Sequence, residues 1–443
     1  MTQSLAAGEH RSLWRDANFR TFWGGQALSQ LGAEVTGLAL PVLAVVLLHA
    51  SELEVGVLNA ASVAAFLVVG LPAGAWIDRM RKRRVMIVAD AVRAVVLLAI
   101  PALWLGGHLT VWHLVAVALV IGVATVFFDV SYQSVIPALV DRDAIPEANG
   151  KLESTQQLAA LAGPSLGGWL VGAVSAPIAV LTTAATYVAS FVALLRTRDH
   201  EVVRPAHERE PLRTEIAEGL HWVLGHPLLR RIVGTTAVSN LCSTIVVTLA
   251  PILVLRTLGL SPATWGLVFS LGGVGGLAGA ALTPRFVRAV GEGRAIPLSA
   301  IAFSVVGLAF PLVTLVPTGW VVPVLAAQGM LASAAILVYN VTQVSFRQRI
   351  TPARLLGRMN ASIRFCVWGT MPIAALLAGV LGEWLGVVPT VWLGAVAGVP
   401  ACLFVVAGPF WRMRALPVAE EDEYAVEDAV NAVDTDHVSR PQA

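Results

Sequence analysis

Long apolar runs follow one another along the chain, separated by short polar stretches. Runs of membrane-crossing length lie near 21–47, 55–77, 84–104, 112–135, 155–174, 177–195, 232–255, 263–284, 295–316, 320–345, 361–386 and 389–411. A bilayer-spanning helix needs about 20 mostly apolar residues, so the pattern predicts twelve spanning helices. The ten-residue alternation of a membrane barrel is missing. A helical bundle then remains as the spanning structure that satisfies its own backbone polar groups. The expected fold class is all-α, an integral membrane protein of twelve helices in two six-helix bundles.

Cations sort the polar stretches into two kinds. Arg11, Arg15 and Arg20 precede the first run, and the second connection holds Arg79, Arg81, Lys82, Arg83 and Arg84. The fourth, sixth, eighth and tenth connections are also arginine-bearing. The odd-numbered connections have almost no cations, with Arg256 the exception. Cation-rich loops stay in the cytoplasm, so both termini are expected there, in a bacterial inner or plasma membrane. Trp104, Trp112, Trp265, Trp320, Trp384 and Trp392 fall at the opposite helix ends, where an interfacial belt is expected. No cleaved signal peptide is expected.

The longest connection lies at the midpoint and sets the domain plan. Residues 1–20 form an N-terminal arm, 21–195 one six-helix bundle, 196–231 a central loop, 232–411 a second bundle and 412–443 an acidic tail expected to be disordered. In the loop, Leu212, Ile216, Leu220 and Val223 share one face, which predicts an amphipathic helix on the inner membrane surface. A repeat supports the division. The segments "FDVSYQ", "EANG" and "GPSLGG" are matched by "YNVTQV", "RMNA" and "LLAG". Asp129 to Asn149 spans the same distance as Asn340 to Asn360, and Asn149 to Gly168 the same as Asn360 to Gly379. Parallel six-helix repeats mark transporters.

Composition agrees and excludes alternatives. Of 443 residues, 56% are hydrophobic and 13% charged, against about 25% charged in soluble domains. No basic patch interleaved with aromatics points to nucleic acid. Cys242, Cys366 and Cys402 are scattered and the nine histidines form no ligand spacing. Neither a metal site nor a catalytic centre nor a cofactor is expected. Lys82 and Lys151 are the only lysines, and Lys151 precedes leucine, so no G-x-x-x-x-G-K-[ST] phosphate loop exists.

The stretch "GAWIDRMRKRR" joins the second and third runs. With two six-helix halves and a long central loop, it resembles the major facilitator superfamily, whose best-known motif is G-x-x-x-D-R-x-G-R-K. Gly74, Asp78, Arg79, Lys82 and Arg83 match it, and Arg81 replaces the usual glycine. The resemblance covers about residues 15–412. "SVIPALVDRDAIPEANG", "EGLHWVLGHPLLR" and "LLGRMNASIRF" resemble the bacterial drug-efflux and secretion-effector branch. The resemblance implies that the loop motif latches the two halves in the outward-facing state. Asp78 at a helix C-terminus opposes the helix dipole, and the N-terminus of the eleventh spanning helix is one candidate to offset it. Gly150, Gly163, Pro164, Gly167 and Gly168 resemble the antiporter motif of exporting branches, with Ala159 replacing one of its glycines. In the second half Thr283 stands where the loop motif has its acid.

Ionisable residues inside a membrane are costly and functional by default. Glu34 lies midway along the first run with no partner at i±3 or i±4, so it is a candidate for proton coupling or cationic-substrate binding, or else a hydrogen-bonded structural acid. Asp90 and Arg93 are one turn apart and can neutralise each other. Asp129 is placed near the cytoplasmic end of the fourth run, again a helix C-terminus unfavourable for an acid, where a cation from the Arg79–Arg83 group could reach it. Many proton-coupled exporters carry an arginine in that helix; this chain has none there before Arg142, and Arg93 is a possible substitute.

The leading reading is a proton-coupled antiporter that exports a small amphipathic drug, antibiotic or siderophore-like compound by alternating access. An uptake symporter and a non-transporting membrane sensor are the alternatives; an enzyme is not expected. The expected partners are a small-molecule substrate, protons and the lipid bilayer, with the protein a monomer.

Overall fold

A computed structural model describes residues 13–70, 76–77, 80–141, 144–199, 212–352 and 355–413. Gly74, Asp78 and Arg79 lie outside these residues, as does the tail from 414. The side chains of Leu212 and Ile216 are also outside them.

The first half holds six helices: α1 (Ala17–Val42), α2 (Glu52–Val68), α3 (Lys82–Leu105), α4 (Val111–Leu139), α5 (Ile145–Ala173) and α6 (Ala176–Arg196). α7 (Leu212–Gly225) connects the halves. The second half holds α8 (Pro227–Pro251), α9 (Pro262–Val290), α10 (Glu292–Gly307), α11 (Thr318–Ile350), α12 (Leu356–Trp368), α13 (Thr370–Leu385) and α14 (Val387–Gly398). α12 and α13 form one continuous span. Among the described residues no strand occurs. Among the described residues, ten helical segments are long and apolar enough to cross a membrane. α2, 17 residues long, and α5 are not among these ten; the first turns of α5 are polar, with Glu147, Lys151 and Glu153.

Local chemistry sets the helix ends. Ser51 caps α2 in a reciprocal capping box with Glu54, at 3.2 and 2.9 Å. Ser261, 210 positions later, caps α9 by accepting from the Thr264 amide at 3.1 Å. Such caps satisfy the orphan amides of a first turn. Gly291 and Gly386 stop α9 and α13 with φ of 89° and 88°, a conformation that favours glycine. After Pro41, α1 ends in a π-helical stretch, Leu43–Leu47. After Pro251, α8 ends in another, Ile252–Thr257. The two π-helical ends pack against each other.

The repeat is visible in the packing. α1 packs on α5 and α6, as α8 packs on α13 and α14; α3 packs on α4, as α10 packs on α11. The halves meet along two equivalent seams, α5 with α9 and α2 with α13. Small residues make both seams possible. Gly168 of α5 presses on the backbone at Pro262 and Ala263, and Gly266 of α9 presses on the Pro164 carbonyl. On the other seam Gly56 of α2 meets Gly379, and Gly382 meets Glu52. Gly168 and Gly379 are repeat partners and do the same work at the two seams. Close approach over small residues is how helices associate in lipid, where burying apolar surface gains little.

The apolar core divides unequally. One large cluster takes residues from both halves, from Leu38–Ala50 and Val55 to Ile245–Leu255, Trp265, Ala374 and Ala378. It sits at the end of the molecule where the connections are short. At the other end, which carries the arginine-rich connections, each half has its own clusters and none is shared among the described residues. The halves are therefore joined at the short-loop end and have separate cores at the arginine-rich end.

Three expectations need correction. Asp129 is not at a helix terminus, because α4 continues through Leu139; a dipole effect fades beyond the last turn and does not act on it. α7 does not rest on lipid through Val223. That side chain is fully buried against Met359, Ile363 and Val367 of α12. Gly219 lies on Arg358 and Ser362, and Glu218 pairs with Arg358. Trp265 is not in an interfacial belt: it is 5% exposed and packs edge-on against Phe269 at 4.5 Å. Trp112, Trp320 and Trp384 are exposed.

Candidate functional site

The charged residues inside the bundle gather in the first half. Asp90 and Arg93, one turn apart on α3, pair at 3.3 Å and are 0% and 3% exposed. The Arg93 guanidinium lies over the Phe128 ring at 4.4 Å and near the Tyr187 ring at 5.3 Å. Two aromatic faces and a carboxylate around one guanidinium compensate its loss of water. Asp129, next to Phe128 on α4, feels the charge of Arg93 and also of Arg364 on α12. Arg364 stacks on Trp368 at 4.8 Å, and Trp368 meets Phe66 of α2 edge-on at 5.4 Å. An acid of the first half is thus coupled electrostatically to a base of the second. Arg364 falls inside the apolar run 361–386, where the rule for intramembrane charges would have singled it out.

Glu34 is half-buried on α1. Its neighbour is Gly163 of α5, where any Cβ would collide with the Glu34 side chain, and Gly167 lies against Val35. The glycine–proline segment of α5 therefore has two faces. Gly163 and Gly167 seat Glu34 and its helix; Pro164 and Gly168 form the seam with α9. Ser165 adds a polar link to that seam through Ser270, with the two hydroxyl oxygens 2.7 Å apart. Gly150 is exposed and nothing packs against its α-carbon.

The gating-loop candidates separate. Arg83 donates to the Leu194 and Leu195 carbonyls at the end of α6, both at 2.8 Å. That ties α3 to α6 inside the first half. Lys82 begins α3. At the opposite end, Arg256 donates to the carbonyls of Val45 and Ala50 at 3.1 and 2.9 Å. It is the cation that breaks the arginine asymmetry, and it bridges the two halves. Asn59 of α2 and Thr248 of α8 add a second bridge, at 2.5 Å.

Two six-helix halves related by a repeat, meeting along two glycine seams around buried charges, define a multi-pass membrane transporter. The Major Facilitator Superfamily model matches residues 22–368, and the chain belongs to that family. The multidrug efflux pump Tap of Mycolicibacterium fortuitum is 26% identical over 390 residues, 83% of this chain and 91% of Tap. Macrolide efflux protein A of Streptococcus pyogenes is 28% identical over 185 residues, 40% of this chain and 44% of that protein. The nucleoside transporter NupG superposes with a TM-score of 0.69 at 12% identity, covering 88% of this chain and 99% of NupG, a likeness of fold. The protein is a transporter and not an enzyme.

Proposed function

We propose that the protein is a proton-coupled antiporter that exports a small amphipathic, antibiotic-like compound across the bacterial plasma membrane by alternating access. The observation that carries the reading is Glu34 seated on Gly163, inside the segment that forms the seam between the halves. A carboxyl there can bind or release a proton when the seam shifts. Asp129, on which the charges of Arg93 in its own half and Arg364 in the other both act, is the second titratable group in a position to sense that movement. The resemblance to efflux pumps named for multiple drugs and for macrolides supports export over uptake.

With the arginine-rich end in the cytoplasm, the joined end faces outward and this is the inward-facing state. Arg256 and the Asn59–Thr248 pair then form an outer latch, and Gly74, Asp78 and Arg79 belong to the opposite, inner latch. Both termini are cytoplasmic and the monomer is the working unit. The driving force is adequate: each proton gains about 2.3 kcal/mol per 100 mV of membrane potential, and each pH unit adds about 1.4 kcal/mol.

Everted membrane vesicles test the reading. An acid interior should drive uptake of labelled chloramphenicol by vesicles with the protein, and a protonophore should abolish it. Accumulation only in right-side-out vesicles would favour the uptake symporter, the second reading.

A further inference from the structure

The second half contains a partly open cavity of about 400 Å³ lined by α8, α9, α10, α11 and α14. Its place in the repeat explains it. The helix caps and buried faces of the two halves align at an offset of 210 positions from α1 to α3 and 211 from α4 to α6: Ser51 with Ser261, Pro41 with Pro251, Pro101 with Pro311, Gly168 with Gly379. At the same offsets, Asp90 corresponds to Ala300 and Arg93 to Phe303; Phe128 corresponds to Tyr339, Asp129 to Asn340 and Tyr187 to Gly398. All five second-half residues line the cavity. The first half fills this place with an ion pair and a tyrosine ring. The second half has an alanine and a glycine there, and the space is left open.

The lining is polar without being charged. Asn240, Gln328 and Asn340 present side-chain amides to the space, and none of the three has a hydrogen-bond partner among the described residues. The Thr236 and Tyr339 hydroxyls, 2.9 Å apart, add a further donor–acceptor pair. Trp265, Phe269 and Phe303 supply aromatic walls. Among the described residues, no carboxylate, amine, guanidinium or imidazole is in the lining. A fixed charge entering such a site would lose part of its water without finding a counter-ion. An uncharged molecule with amide or hydroxyl groups on an aromatic or aliphatic body would satisfy the three open amides and cover the rings. Apolar walls with a few convergent polar groups are what small-molecule sites have.

We infer that this cavity is the binding site for an uncharged, hydrogen-bonding amphipathic substrate, the second half recognising the neutral solute while the first half carries the titratable groups. The inference rests on the transport reading for what is carried, but it concerns equilibrium binding and needs no gradient. That separates its failure from failure of the coupling.

Radiolabelled chloramphenicol, a neutral amide bearing hydroxyls, is the probe, with purified protein in nanodiscs and no ion gradient. Saturable binding is expected, and ethidium, a permanent cation, should not displace it. Asn340→Leu, close in volume, should weaken binding about tenfold, the cost of leaving polar groups of the ligand unpaired. Gly398→Tyr, which restores the first half's ring, should abolish binding. If that variant folds poorly, Gln328→Leu is the substitute and should act as Asn340→Leu does. The inference is overturned if chloramphenicol does not bind saturably, if ethidium competes, or if Asn340→Leu and Gln328→Leu bind as the parent does. Copurified phospholipid that leaves with Gly398→Tyr but stays with Asn340→Leu would assign the cavity to an acyl chain and also overturn it. Loss of gradient-driven export with chloramphenicol binding intact would count against the coupling alone.

Discussion

Gly163 of α5 faces Glu34 of α1 with no room for a Cβ between them. A buried contact this close makes a steric prediction. Gly163→Ala should lower the apparent melting temperature in detergent, by the equivalent of about 1–3 kcal/mol typical of overpacking. In a Glu34→Gly background, where the obstructing side chain is gone, most of that loss should disappear. Equal losses in both backgrounds would show that the contact is not the cause.

Arg256 makes a prediction about the latch. Its guanidinium donates to two carbonyls of the other half, at Val45 and Ala50. Arg256→Gln should loosen the joined end. A cysteine replacing Thr244, which is 6% exposed one turn deeper on α8, should react with a hydrophilic thiol reagent added outside several times faster in Arg256→Gln than with Arg256 present. Unchanged labelling would mean that the apolar cluster alone keeps this end shut.

The α5–α9 seam can be wedged. Gly266 lies on the Pro164 carbonyl, where an added Cβ has no space. Gly266→Leu should reach the membrane in normal amount and lose at least about nine-tenths of its transport, because the backbones can no longer approach. Parent-level export by this variant would remove the seam from the mechanism.

His226 caps α8, its Nδ1 accepting from the Leu228 and Leu229 amides at 3.3 and 3.4 Å. Burial holds the imidazole below the ordinary histidine pKa. With a depressed folded value, the stability of the cap is complete above the ordinary value of about 6.5 and is lost as pH falls through the folded one. His226→Ala should cost about 1 kcal/mol at pH 7.5 and much less at pH 5. His226→Asn, which keeps an acceptor, should retain stability at both. Thermal unfolding at the two pH values measures this.

Much of the fold was legible because lipid makes strict demands. A spanning helix must be apolar over a fixed length, and cation placement separates the two ends, so the twelve runs could be read directly. The repeat spacing between Asp129 and Gly168 likewise recurs as two equivalent seams. Helix extent was less legible. "SVIPALV" reads as the end of a run, yet α4 continues through it and leaves Asp129 in a helix interior. Trp265 reads as an interfacial anchor, since hydropathy does not distinguish an aromatic facing lipid from one facing a cavity. Arg256 was visible as an exception to the cation pattern, but its carbonyl partners belong to backbone, which sequence pattern does not mark. The Glu34–Gly163 contact joins two motifs 129 positions apart, and only packing brings them together.

The proposal that Glu34 carries the proton is tested most directly by export from everted vesicles with an imposed pH gradient, parent against Glu34→Gln. Glutamine is neutral and nearly isosteric, so the seat on Gly163 is kept and the titratable group is lost. The expected result is that downhill equilibration of labelled chloramphenicol survives in Glu34→Gln while gradient-driven accumulation fails, and that the pH dependence of transport flattens. Gradient-driven accumulation by Glu34→Gln at the parent rate would contradict the account and move the coupling site to Asp129 or to the pair Asp90 and Arg93.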